Sequence, residues 1–433
     1  MIGFPERERD VNAPLRVPFF RPSLGDAEIN EVTAVLRSGW LTTGPVVKRF
    51  ETAFAAAVGA RYAVAVNSAT AALHLAVEAL GLQSGEAVLV PTMTFAATAE
   101  VVRYLGAIPI LVDCDPVTLN LDLDAVDRTM TDLRAGRLPA SIPRDVKVVG
   151  LIPVHVGGGM LDLDAVRRVA DRHGLWVVED AAHAFPAAWR RDAAEPWTMC
   201  GAGTAAVTCF SFYANKTITT GEGGMAVTDD ETVANRMRLM SLHGLSHDAW
   251  GRYSVGGTAD YRIVAPGFKY NLTDIAAAIG VHQLAAAHDM RLSRARVAAA
   301  YRQALAGLDR IDLPVDPADR IHSWHLFPIR LCLDRLSIDR GTFTAALSAA
   351  GVGSSVHWRP LHLHPYYETA FGWTPEHCPV ASREWPRLVS LPIFPSISEA
   401  EIAHVVRAVS EICLGSSPLA AIPRPGPERL IET

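Results

Sequence analysis

The chain has no apolar run long enough to span a bilayer, no CxxC or paired-histidine spacing among its six cysteines, no internal repeat and no excess of positive charge. Each absence excludes something. Without a spanning segment the chain reads as a soluble globular protein. Without clustered ligands, Cys114, Cys200, Cys209, Cys332, Cys378 and Cys413 read as small hydrophobes in a reducing, cytoplasmic compartment, and no metal is expected. A net charge of −6 offers no general attraction to nucleic acid or acidic lipid, so the expected partner is small. Neither GxxxxGK nor GxGxxG occurs, and Gly157-Gly158-Gly159 reads as a turn. Residues 1–10 carry both charge signs and no apolar segment, which argues against a secretory leader.

What is present is enough apolar sequence for a large core: 433 residues, 49% hydrophobic and 20% charged. Between 61 and 228, short β-branched runs alternate with amphipathic segments, as strand-helix-strand units of a mostly parallel sheet do. Residues 63–66, 87–90, 108–112, 146–154, 176–178, 205–210 and 225–227 read as strands covered on both faces. Val166, Val169, Ala170 and His173 fall at helical spacing, with Gly174 placed to end the helix. The polar stretch 131–144, with Pro139 and Pro143, reads as an inserted surface loop. A second architecture begins near Pro314: a strand at 325–331, a helix at 339–350 ended by Gly351, a strand at 354–358, and a last helix opened by Ser398 and Glu401 in capping-box spacing. The expected layout is an arm (1–17), a large domain (18–290), a small C-terminal α+β domain (291–415) and a loosely held tail (416–433).

Three stretches carry candidate chemistry. Asn67-Ser68-Ala69-Thr70 follows a predicted strand and opens a helix, where free N–H groups, the helix dipole and two hydroxyls suit a phosphate. Taken alone, Ser68 and Thr70 read more readily as helix caps. Asp180 ends a predicted strand, and the carboxyl ends of strands are where open α/β sheets bind ligands. Alone, it reads as a turn aspartate. Lys216 stands between two strands among hydroxyls and glycines, placed to be desolvated and to form a Schiff base. Gly221, Gly223 and Gly224 permit a tight return into the next strand. A phosphate cradle, a carboxylate for a ring nitrogen and a lysine for an aldehyde are together the handles of pyridoxal 5′-phosphate.

The chain resembles the DegT/DnrJ/EryC1/StrS sugar aminotransferases, within the fold-type I pyridoxal-phosphate enzymes, from about Pro18 to about Pro395. The motifs are SGWLTTGP (38–45), PTMTF (91–95), EDAAHA (179–184), TTGEGG (219–224), SWHLF (323–327) and HWRPLH (357–362). The resemblance implies a large domain with a mostly parallel seven-stranded sheet between helices. It implies Lys216 as the Schiff-base lysine, Asp180 at the pyridine nitrogen and His183 near the ring hydroxyl. Ser68, Thr70 and Ser211 would hold the phosphate, Ala69 would also adjoin the cofactor, Phe95 would stack on one ring face and Ala182 would line the other. Ala69 departs from a usual glycine and His183 from a usual glutamine. PGFKYNLTDI (266–275), with His243-Gly244 and Trp250 upstream, resembles the branch that aminates nucleotide-linked 4-keto sugars. There Asn271 would reach the phosphate in a neighbouring subunit, implying a homodimer with shared active sites, and Thr42, Thr43, His357 and His362 would meet substrate.

The implied reaction moves an amino group from L-glutamate, through pyridoxamine 5′-phosphate, to C4 of a dTDP- or UDP-linked 4-keto sugar, a 4-keto-6-deoxyhexose by preference. Related dehydratases replace the lysine by histidine, so Lys216 speaks for transamination. A keto-cyclitol acceptor and a non-catalytic binding relative are the alternatives.

Overall fold

The computed structural model describes residues 15–245 and 262–415; residues 1–14 of the expected arm, Trp250 and the expected tail from 416 lie outside them. The principal sheet has seven strands in the order Tyr62–Val66, Gly224–Thr228, Val207–Ser211, Trp176–Asp180, Val148–Leu151, Ala87–Pro91, Ile108–Val112. Within it only Gly224–Thr228 runs against its neighbours. Ala87–Pro91 and Val207–Ser211 are buried at every residue, the consequence of helices covering both faces. The helix Ala69–Ala79 packs its Leu73, Leu75 and Val77 into that core, and Leu163–His173 ends on Gly174 in the left-handed region.

The second sheet joins Ile311–Asp312, Phe327–Leu331 and Leu388–Leu391, all antiparallel. Phe327–Leu331 alternates buried and half-buried residues, as a sheet covered on one face should. Its cover is Arg340–Ala349 and Glu399–Leu414; the latter opens on the Ser398–Glu401 capping box and buries Ile402, Val405 and Val409. One helix, Asp274–Leu305, serves both cores: Ala287 and Met290 pack with the large sheet's aromatics, Val297 and Tyr301 with the small sheet. Val17, at the end of the expected arm, packs into the small core and pairs with Val352.

Two expectations need correction. Residues 131–135 are helical, because Leu123–Ala135 continues until Gly136 supplies the left-handed cap and Leu133 remains buried; both prolines lie beyond that cap. Residues 354–358 form no strand; the segment meets Leu388–Leu391 through the single bridge Ser355–Ser390, and the third strand of the small sheet is Ile311–Asp312. A third sheet of two-residue strands (Arg320–Ile321, Ala188–Trp189, Thr198–Met199) is too short to leave a periodicity in sequence. Among the described residues no helix is long and apolar enough to cross a membrane, and all six cysteines are unpaired.

Candidate active site

Three strand ends and one helix start converge. Tyr62–Val66 leads to Ser68, which accepts a hydrogen bond from the Ala71 N–H at 3.1 Å and opens Ala69–Ala79. The helix start is held by Gly224, where an added Cβ would lie 2.5 Å from the Ser68 carbonyl carbon. Trp176–Asp180 delivers Asp180, and Val207–Ser211 delivers Ser211. Ser211 Oγ accepts from the Tyr213 N–H at 3.3 Å, which leaves its hydroxyl proton free to donate. The chain then turns through Lys216, whose N–H donates to Tyr213 O at 2.9 Å, and Thr220 returns to Phe212 O at 2.9 Å before Gly221 (φ +81°) re-enters the sheet.

These ends enclose a cavity of about 610 Å³. Ser68, Ala69, Thr70, Phe95, Asp180, Ala182, His183, Ser211, Lys216 and His357 all line it. Asn271 and Thr43 do not: they line a separate cavity of about 870 Å³, where Asn271 Nδ2 donates to Thr43 Oγ1 at 2.7 Å. Thr42 is exposed and lines neither. His362 is buried away from the lysine, its ring nitrogens engaged by Thr92 at 2.7 Å and Ser382 at 2.8 Å.

The electrostatics follow from burial. Burial pushes the Asp180 carboxyl up, while hydrogen bonds from Thr98 (2.8 Å) and the Ala182 N–H (3.1 Å) and the nearby Lys216 pull the other way. Burial brings Lys216 down to about 8; Asp180 opposes the shift and Arg294 adds to it. His183 lies well below the usual histidine range and His357 at about 4, both chiefly by burial, so these rings are neutral at pH 7. His183 Nδ1 accepts from the Gly157 N–H at 3.2 Å, which leaves the ring proton on Nε2. Gly157 (φ +65°) and Gly158 (φ +100°) form the turn expected there; an added Cβ on Gly158 would lie 1.8 Å from Ser323 Oγ.

Some contributors carry no local sequence mark. Thr98 reaches Asp180 from a helix 82 residues earlier. Asn215, beside the lysine, lines the cavity with its Oδ1 unpartnered among the described residues. His325 belongs to the SWHLF motif, which was its only signal; its Nε2 lies 3.4 Å from Lys216 Nζ.

The residues present fit pyridoxal 5′-phosphate. A capped helix start with two serine hydroxyls suits a dianion, a buried carboxylate suits a ring cation, and a lysine of lowered basicity suits an aldehyde.

Comparison with known proteins agrees. The model of the DegT/DnrJ/EryC1/StrS aminotransferase family matches residues 22–410. The spore coat polysaccharide biosynthesis protein SpsC of Bacillus subtilis (strain 168) is 41% identical over 402 residues, covering 92% of this chain and 98% of its own. Spr1654 from Streptococcus pneumoniae, described as a sugar aminotransferase by assignment and solved in its PLP form, superposes with a TM-score of 0.80 at 28% identity over 93% of this chain and 100% of that one. S. venezuelae DesV gives 0.79 at 33%, covering 93% and 99%. The chain belongs to the DegT/DnrJ/EryC1/StrS aminotransferase family and is a pyridoxal-phosphate-dependent sugar aminotransferase of fold type I.

Proposed function

We propose that the enzyme transfers the amino group of L-glutamate to C4 of a dTDP- or UDP-linked 4-keto sugar, giving a 4-amino sugar nucleotide for glycoside or polysaccharide synthesis. The observation that carries this is the placement of Lys216 and Asp180 on one cavity wall beside the Ser68 helix start. When bound, the cofactor supplies an aldehyde for imine exchange and a ring that accepts the electron pair left on the donor's α-carbon.

The chain's own groups do the rest. Ser68, Thr70, Ser211 and the N–H groups opening Ala69–Ala79 anchor the phosphate. Asp180 would hold the proton of the ring nitrogen, His183, with its proton on Nε2, would donate to the ring hydroxyl, and Phe95 and Ala182 would bound the ring, all four lining the cavity. Lys216 Nζ takes the proton from the donor's α-carbon and, in the second half of the reaction, gives one to C4 of the sugar. His357, on the cavity wall, would meet the substrate directly, and Thr42 and Thr43 would reach it from a neighbouring subunit. That Asn271 and Thr43 sit in a cavity apart from Lys216 supports a homodimer in which they complete the partner's site. The unpaired cysteines support a cytoplasmic setting.

The test is incubation of the enzyme and L-glutamate with a panel of dTDP- and UDP-4-keto sugars, with product masses measured. An amino sugar nucleotide one nitrogen richer is expected; amination confined to free keto-cyclitols contradicts the substrate assignment.

A further inference from the structure

Beside Lys216 the cavity wall holds a histidine, and behind it a buried cation, that the roles above leave unused. His325 is 4% exposed, with its Nε2 3.4 Å from Lys216 Nζ and its ring 4.2 Å from that of His183. Arg294, 3% exposed on the helix Asp274–Leu305, points Nη1 at the carbonyl oxygens of Trp324 (3.3 Å), His325 (3.4 Å) and Ile393 (2.9 Å). Its charge is thus spent on the backbone that carries the His325 ring.

We propose that His325 is a positioning residue for Lys216, its Nε2 accepting one lysine N–H and so fixing the direction of the amine, with Arg294 clamping the backbone beneath the ring. This rests on Lys216 being the reacting lysine. An ammonium has three donors and no lone pair, so Nε2 must be the acceptor and Nδ1 must carry the ring proton. Nδ1 has no partner among the described residues. A ring that accepts must be neutral, and burial, with His183, Lys216, Arg294 and His357 nearby, holds His325 well below the usual histidine range.

Other groups facing Lys216 are Asp180, which favours its charged form, the neutral His183 and His357, and Tyr213 and Glu222 on the cavity wall. Against that background the two residues act with opposite sign. The Nε2 acceptor stabilises the ammonium, so its loss lowers the lysine's titration midpoint; Arg294 repels the ammonium, so loss of its charge raises the midpoint.

The experiment labels Lys216 in the full chain, stripped of cofactor, with acetic anhydride between pH 6 and pH 10 and maps the peptide by mass. His325→Leu is expected to label roughly fivefold faster than wild type at pH 7, a midpoint about one unit lower. His325→Gln, which keeps an acceptor oxygen, should stay near wild type, and Arg294→Gln should move the midpoint upward. In the cofactor-loaded enzyme, His325→Leu should lower kcat with KM held. An unchanged midpoint in His325→Leu, or an equal displacement in His325→Gln, overturns the role of His325; an unchanged or lowered midpoint in Arg294→Gln overturns that of Arg294. If His325→Leu does not fold, His325→Phe replaces it under the same criteria. Borohydride reduction of the wild-type holoenzyme separates the two levels: an adduct away from Lys216 defeats the functional reading, whereas an adduct on Lys216 with unchanged His325→Leu labelling defeats only the positioning role.

Discussion

Thr98 Oγ1 donates a 2.8 Å hydrogen bond to Asp180 Oδ2, and Thr94 Oγ1 lies 2.7 Å from the same threonine hydroxyl. Both threonines are buried, so the chain delivers a dry hydroxyl relay to the carboxylate proposed to hold the ring nitrogen. A hydrogen bond to a charged group is worth about 1.5–3 kcal/mol. Thr98→Val should therefore raise the Asp180 carboxyl further and lower kcat roughly tenfold or more, with Thr98→Ser near wild type. Steady-state kinetics on the three proteins check this; equal rates in Thr98→Val and wild type would remove the hydroxyl from the account.

Asp180→Asn keeps the shape of the side chain and removes its charge. The Ser68 helix start and Ser211 are untouched, so the variant should still retain cofactor through dialysis while turnover falls by about 100-fold or more. Cofactor content by absorbance, set against kcat, separates the two effects, and unimpaired turnover would assign the ring nitrogen to another group.

Lys216 carries a stability cost as well as a function. A base whose pKa is about 8 in the fold, against about 10.5 when free, destabilises the fold fully below pH 8, and the cost fades as pH rises from about 8 to about 10.5. At pH 7 that amounts to roughly 3 kcal/mol. Lys216→Met should accordingly stabilise the cofactor-free protein at pH 7 and lose most of that advantage above pH 10. Denaturant unfolding of both proteins at the two pH values measures it; a less stable variant at pH 7 would mean that the amine is well solvated in the fold.

Gly224 lies against backbone, not against side chains that can swing away. A Cβ there would sit 2.5 Å from Ser68 C, 2.6 Å from Ser68 O and 2.7 Å from Ala69 N. Gly224→Ala should push the helix start off its seat at a cost of about 1–3 kcal/mol and weaken pyridoxal-phosphate binding about tenfold. Fluorescence titration gives the affinity, and a wild-type Kd would show that the phosphate is anchored elsewhere.

Much of this was legible in sequence because its causes are local. Uninterrupted β-branched runs announced the strands that end at Asp180 and Ser211, and Ser68 announced its helix by cap chemistry. Lys216 was conspicuous because a lysine among hydroxyls and glycines between two strands has no ordinary solvent role. What escaped has non-local causes. Thr98 looks like any helical threonine until the fold brings it to Asp180, and Arg294 looks like a surface arginine until its helix is buried between two cores. The stretch 131–144 misled because its prolines sit beyond Gly136, so its composition concealed the end of a helix. The segment 354–358 misled because its half-buried residues serve the cavity wall, where His357 stands, instead of a ladder.

The most direct test of the whole account is borohydride reduction of the purified, pyridoxal-phosphate-loaded enzyme followed by peptide mapping. The account predicts a single reduced adduct on the peptide carrying Lys216, absent from Lys216→Met; an adduct on another lysine, or none, would contradict it.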